Sequence, residues 1–215
     1  MKVAIIGAGN VGRSLATAFR RAGHDVVITS RDPADAGSVA ASTGATVAGT
    51  NAEAAASAEI VVLATPFTSG AEIASEIGPS VAGKAVVDVS NRMSFGPNGP
   101  QIDTTSSNSE DLAALLPGAH VVKAFNTLFA SKQLDPLAGD VPLDGFVAGD
   151  DAGAKAQVLD LVGSIGLNPV DAGSLSRARQ LEGMAFLNIA LNAAHSGAWQ
   201  SGWKLIGAPQ TVGAK

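Results

Sequence analysis

The chain has no cysteine and no tyrosine among its 215 residues, and aromatic residues make up only 4%. Without cysteine there is no disulfide, no thiolate nucleophile and no zinc site of the cysteine kind, a composition that suits the cytosol. Without tyrosine, a tyrosine–lysine acid/base pair is excluded. Charged residues are also scarce, 15% of the chain against about 25% in ordinary globular proteins. With 46% hydrophobic residues, the expectation is a compact globular chain and not a disordered one. A formal charge of −5 argues against nucleic acid or an anionic membrane as partner, so any anion must be held locally. Long apolar runs are missing as well. The late stretch Met184 to Ala194 is broken by Asn188 and Asn192 and falls well short of the ~20 residues of a membrane span. The chain starts directly as a strand, so no signal peptide, no membrane contact and a cytoplasmic location are expected.

What remains is an alternation of short valine- and isoleucine-rich runs with longer alanine-rich stretches of helical period. That pattern buries a parallel sheet between helices. Strands are expected near Lys2–Ile6, Asp25–Thr29, Ala45–Ala48, Ile60–Ala64, Ala85–Val89, His120–Ala124, Gly145–Ala148 and Asn168–Val170. Helices are expected near Asn10–Ala22, Pro33–Thr43, Ala52–Ser57, Ser69–Ile77, Glu110–Leu116 and Asp151–Ile165. The fold class is therefore α/β, a doubly wound parallel sheet of the Rossmann kind with a C-terminal helical extension. The length supports one domain with a small appendage: a dinucleotide-binding domain over residues 1–173, a helical segment over 174–208 and a loose tail over 209–215. Two segments break the alternation. Ser90 to Ser109, with Pro97, Gly99 and Pro100, reads as a binding loop or flap, or as a disordered insertion. Ser176 to about Trp203 reads as one long helix or a broken pair, with Leu181, Met184, Ala185, Asn188, Leu191 and His195 on one face.

The first strand runs directly into Gly7-Ala8-Gly9-Asn10-Val11-Gly12. This G-x-G-x-x-G spacing has a specific physical content. Gly7 permits the tight turn, Gly9 lets the backbone approach a pyrophosphate, and Gly12 lets helix and strand pack closely. The helix start adds free N–H groups and a positive dipole end. The second strand ends Thr29-Ser30-Arg31, where an NAD site carries an acidic residue for the ribose hydroxyls. A hydroxyl and a guanidinium suit a 2′-phosphate instead, which points to NADP(H). Asp32, one step late, is the contrary signal.

Ligands of such sheets sit outside the carboxyl ends of the strands. Thr65 and Pro66 follow the fourth strand and flank a nicotinamide ribose, or form a plain turn. Asn91 and Asn126 follow the fifth and sixth, and each offers an amide donor and acceptor to a carboxamide or ring, although asparagine also serves turns for its own sake. Arg92 is either a second phosphate ligand or an exposed loop cation, and Lys123 a strand lysine that snorkels or reaches the site. His24, His120 and His195 form no triad and no metal spacing, so they are expected to be structural, with no metal and no side-chain catalyst.

The glycine motif, Thr29-Ser30-Arg31, Thr65-Pro66, the run Val121 to Thr127, the Gly149-Asp150-Asp151 turn, and Asp171 to Leu175 followed by Arg177, Arg179 and Glu182 resemble the NADP oxidoreductases that use the deazaflavin coenzyme F420. The resemblance covers nearly the whole chain. It implies a small reductase that passes hydride between NADPH and the deazaflavin, with late helices completing the acceptor site and often a homodimer. Members of that family tend to carry histidine where Asn126 stands. The Lys123 to Thr127 wording is also similar to the cytosolic NADPH domain of transmembrane ferric reductases, whose electrons pass through a flavin. Two rival readings stand beside it: an NADPH-dependent reductase of a small carbonyl or imine, which calls for a proton donor, and a non-catalytic NADP(H)-binding sensor.

Overall fold

The computed structural model describes residues 1–96 and 99–207. Pro97 and the expected tail at 209–215 lie outside them. In chain order the elements are β1 (Lys2–Ile6), α1 (Asn10–Arg21), β2 (Asp25–Thr29), α2 (Pro33–Thr43), β3 (Thr46–Val47), α3 (Asn51–Ser57), β4 (Ile60–Leu63), α4 (Gly70–Ile77) and β5 (Ala85–Asp88). There follow β6 (Met93–Gly96), β7 (Gly99–Ile102), α5 (Asn108–Leu115), β8 (His120–Lys123), α6 (Ala130–Leu134), β9 (Leu137–Ala138) and β10 (Val141–Pro142). The last are β11 (Asp144–Gly149), α7 (Ala152–Ser164), β12 (Asn168–Gly173) and α8 (Ala178–Ala194).

The central sheet has eight strands in the order β12-β11-β8-β5-β4-β1-β2-β3. Strand β1 alternates its side chains between two cores. Val3 and Ile5 pack with residues of α1 and α7, whereas Ala4 and Ile6 pack with those of α3, α4 and α5. Both faces are thus buried, as the unbroken apolar strands require. The strand order reverses between β1 and β4, which leaves a crevice above their carboxyl ends.

The parallel sheet has one exception: β11 runs antiparallel to β8, pairing Ala148 with Lys123 and Gly149 with Val122. Between these strands lie only α6, a single short turn of helix, and the small β9–β10 hairpin. No helix long enough to carry the chain back along the sheet intervenes, and an antiparallel neighbour needs none. A helical crossover, α7, then restores parallel pairing between β11 and β12.

Ser90 to Ser109 has regular structure among its described residues. It contains the antiparallel β6–β7 hairpin and the start of α5, where Ser107 and Glu110 form a reciprocal capping box. The late helix ends at Ala194, not near Trp203, and its buried stripe is Leu181, Glu182, Ala185, Asn188 and Asn192. Leu191, expected on that face, is 48% exposed, and His195 is exposed beyond the last turn. The chain turns back because Asn192 and Asn188 bond to it: Trp199 N–H donates to Asn192 Oδ1 (3.1 Å) and Ser201 Oγ donates to Asn188 Oδ1 (2.5 Å). Beyond the turn, Lys204 Nζ and Leu205 N–H both reach the carboxylate of Asp144 at the start of β11, at 2.7 and 2.6 Å. Among the described residues no helix is long and apolar enough to cross a membrane.

Candidate functional site

A cavity of about 800 Å³ opens above the carboxyl ends of β1, β2 and β4. Its floor is the glycine turn. Gly7 has φ +111°, and a Cβ there would stand 2.4 Å from the carbonyl oxygen of Ala64. A Cβ on Gly12 would stand 1.9 Å from the carbonyl oxygen of Gly7. Both glycines are therefore demanded by the fold, where β1 leaves the sheet and α1 packs back over the turn. Gly9 differs: a Cβ there would meet nothing within 4 Å. Its lack of a side chain leaves space open that the protein does not fill. Gly9 is the N-cap of α1 with no side-chain cap, and Arg13 N–H is the donor that reaches the Gly9 carbonyl (2.8 Å). The N–H groups of Asn10, Val11 and Gly12 precede that first bond and have no partner within the helix. Room, free donors and a helix dipole fit a pyrophosphate.

The expected residues Gly7, Ala8, Gly9, Thr29, Ser30, Arg31, Thr65 and Pro66 all line this cavity. Asn10, Val11 and Gly12 form the first turn of α1 behind it. Asp32, the contrary signal for NADP(H), is otherwise engaged: its carboxylate caps α2 by accepting the Ala34 N–H (2.9 Å). Arg31 is exposed, with no ion pair among the described residues. Further residues line the cavity without any sequence signal. Gly49, Thr50 and Asn51 at the start of α3, and Glu72 and Glu76 on α4, also line the cavity. They carry no motif, and only the packing of α3 against α4 brings them round.

Asn91 and Asn126 lie outside the cavity lining and form a pair of their own. Asn126 Nδ2 donates to Asn91 Oδ1 at 2.9 Å, while Asn126 Oδ1 is buried without a partner among the described residues. The backbone prepares this contact. Phe125 takes φ +62° and packs its ring edge-on to Phe19, 5.8 Å between centroids. A left-handed phenylalanine is costly and persists only where its surroundings enforce it.

Lys123 does not snorkel. It is fully buried, and its Nζ donates to Asp88 Oδ2 (2.8 Å), Glu182 Oε1 (2.8 Å) and the Ser90 carbonyl (2.6 Å). Burial pushes the Asp88 carboxyl up, but the Lys123 ammonium and the hydroxyls of Ser109 and Ser90 outweigh it and hold the group below its ordinary range. Arg92 is not free for a phosphate: its guanidinium pairs with Asp103 and Asp111. The histidines are scattered. His24 is buried against Ser164 (Nε2 to Oγ, 2.9 Å), with its pKa lowered by burial first, and His120 Nδ1 lies 3.7 Å from Asp151. None of the three lines the cavity. Among the described residues no group of three or more histidine, aspartate or glutamate side chains is placed to hold a metal ion.

A doubly wound sheet with a glycine-floored cavity at its reversal has the architecture of the Rossmann fold class. Residues 2–92 match the family described as NADP oxidoreductase, coenzyme F420-dependent. The F420-dependent NADP reductase of Methanothermobacter thermautotrophicus is 34% identical over 209 residues, covering 89% of each chain. A crystal structure of a candidate F420-dependent NADP reductase from Arthrobacter sp. FB24 superposes with a TM-score of 0.87 at 33% identity, covering 96% of this chain and 99% of that one. Metalloreductase STEAP3 of Rattus norvegicus is 34% identical over 182 residues, 84% of this chain but 36% of that protein, so the chain spans about a third of its length. The chain belongs to the F420-dependent NADP oxidoreductase family.

Proposed function

We propose that this chain transfers hydride between NADP(H) and the deazaflavin coenzyme F420. The observation that carries the acceptor is the match to the Methanothermobacter reductase over 89% of both chains. The metalloreductase similarity, which covers 36% of its partner, supports the cofactor half of the reading more than a flavin as acceptor.

In this reading Gly7, Ala8 and Gly9 and the N–H groups of Asn10, Val11 and Gly12 hold the pyrophosphate. Ser30 and Arg31 hold the 2′-phosphate, Thr29 closes the ribose end, and Thr65 and Pro66 flank the nicotinamide ribose. Asn91 and Asn126 orient a ring at the ends of β5 and β8. Residues 174–207 complete the acceptor site, and a homodimer contact through the same segment is part of the proposal. The nicotinamide supplies hydride chemistry when bound. The chain's part is to hold two flat rings at reacting distance, about 3–3.5 Å between the carbons. No acid or base among the expected site residues is needed for that task, which favours direct transfer over carbonyl or imine reduction.

Purified protein with NADPH is offered F420, FMN, FAD, a ferric chelate and simple ketones and imines in turn while nicotinamide absorbance is followed. Oxidation with F420 in clear preference to the others is expected. Turnover confined to the carbonyls or imines contradicts the reading, and no turnover with any acceptor leaves the sensor in its place.

A further inference from the structure

The cavity wall facing Arg31 carries an oriented acceptor. Asn51, the first residue of α3, donates from Nδ2 to Glu76 Oε2 on α4 at 2.6 Å. An ionised carboxylate only accepts hydrogen bonds, so this amide cannot be turned end for end. Its Nδ2 is fixed toward Glu76. Asn51 Oδ1 therefore points away from that carboxylate, and it has no hydrogen-bond partner among the described residues. The neighbouring Thr50 hydroxyl is already engaged in capping α3, where it accepts the Glu53 N–H (3.1 Å).

The layout of the cavity says which part of a dinucleotide meets this wall. The glycine turn takes the pyrophosphate, and the end of β2 takes the adenosine ribose with its 2′-phosphate. The base, attached to that ribose, is left with the space between Arg31 and the α3–α4 wall. Glu72 and Glu76 make that wall acidic, so the anionic phosphate is directed to Arg31 and an edge bearing N–H donors to the wall. Adenine has an exocyclic amine on its edge. Hypoxanthine, otherwise of the same shape, has a carbonyl oxygen there and would set acceptor against acceptor.

We propose that Asn51 selects adenine by accepting a hydrogen bond from the exocyclic amine at Oδ1, with Glu76 as a positioning residue that fixes the amide. The inference rests on the NADP(H) half of the proposed function and is independent of the acceptor.

Calorimetric titration in the absence of any hydride acceptor tests it, using NADP⁺ and its hypoxanthine analogue as probes. The wild-type chain is expected to bind the analogue about tenfold more weakly, the worth of one buried hydrogen bond with its acceptor left unpaired. Asn51→Ala should weaken NADP⁺ and bring the two ligands to about the same affinity. Glu76→Gln, whose amide can donate as well as accept, frees Asn51 to turn and should shrink the discrimination. Arg31→Ala serves as the contrast: it should weaken both ligands alike and keep their ratio. Thermal melts check that Asn51→Ala is folded, since the Thr50 cap of α3 is untouched. Equal binding of both ligands by the wild type, or an unchanged ratio in Asn51→Ala, overturns the inference while leaving NADP(H) binding in place. Binding of neither ligand overturns the NADP(H) reading and the inference together.

Discussion

Lys123 and Glu182, 59 positions apart, meet at 2.8 Å with both side chains sealed from solvent. The other Glu182 oxygen accepts the Arg92 N–H (3.0 Å), and Oε1 also accepts the Asn108 N–H (3.0 Å). A single carboxylate from α8 thus ties Arg92, just before the β6–β7 hairpin, and the first residue of α5 to the end of β8. The late helix is part of the sheet's own scaffolding, next to the Asn91–Asn126 pair. Removing one partner from a buried charge cluster leaves the others unpaired, which costs roughly 3–5 kcal/mol. Lys123→Met should lower the stability of the folded chain by that order in denaturant melts. A loss near zero contradicts a structural role for the trio.

Asp88 gives this cluster a pH signature. Its carboxyl is held below the ordinary range in the folded chain, the cost of burial being outweighed by Lys123 and the hydroxyl donors. A depressed folded pKa contributes stability that is fully present above the unfolded value and is lost as pH falls through the folded one. Glu110 adds in the same direction, held low first by Arg179. The melting temperature should therefore be flat near neutrality and fall below about pH 4. Asp88→Asn should be less stable at pH 7 and show a shallower acid limb. An acid limb of unchanged slope speaks against the assignment.

The three glycines separate folding from binding. Gly12→Ala forces a Cβ onto the Gly7 carbonyl and should lower both stability and dinucleotide affinity. Gly9→Ala finds open space, so its melting temperature should stay within about 2 °C of wild type, the size of a neutral surface change. Its affinity for NADPH should nevertheless drop at least about tenfold, because the methyl occupies the place of the pyrophosphate. Undiminished binding by a folded Gly9→Ala protein places the pyrophosphate elsewhere.

Arg31 and Asp32 stand side by side and are assigned opposite tasks. Arg31→Ala should weaken NADPH by roughly 10–100-fold and leave NADH nearly unchanged, the loss of one charge-assisted bond. Asp32→Asn preserves an equally good helix cap and should leave the preference for NADPH intact. Equal losses for both cofactors in Arg31→Ala remove the 2′-phosphate from this corner.

Much of this was legible in the chain because the signals are local. The bounds of β1, β2 and α2 follow from apolar runs, a proline start and a glycine stop, and the glycine turn is a contiguous motif. Local sequence carries no signal where partners are distant. Lys123 looks like a half-exposed strand lysine until Asp88 and Glu182 close over it from other elements. Arg92 looks like a free cation until Asp103 and Asp111 fold onto it. The antiparallel turn of β11 depends on what the connection before it lacks, and the Asn51–Glu76 wall depends on two short helices packing together.

Isotope transfer tests hydride passage between NADP(H) and a deazaflavin most directly. NADPH deuterated on one face of its reactive carbon is incubated with the protein and F420, and the reduced deazaflavin is examined by mass spectrometry and NMR. A fixed cavity exposes one face, so one of the two labelled isomers should deliver deuterium to the acceptor carbon and the other should deliver hydrogen. Label lost to solvent, or equal transfer from both faces, contradicts direct transfer within this site.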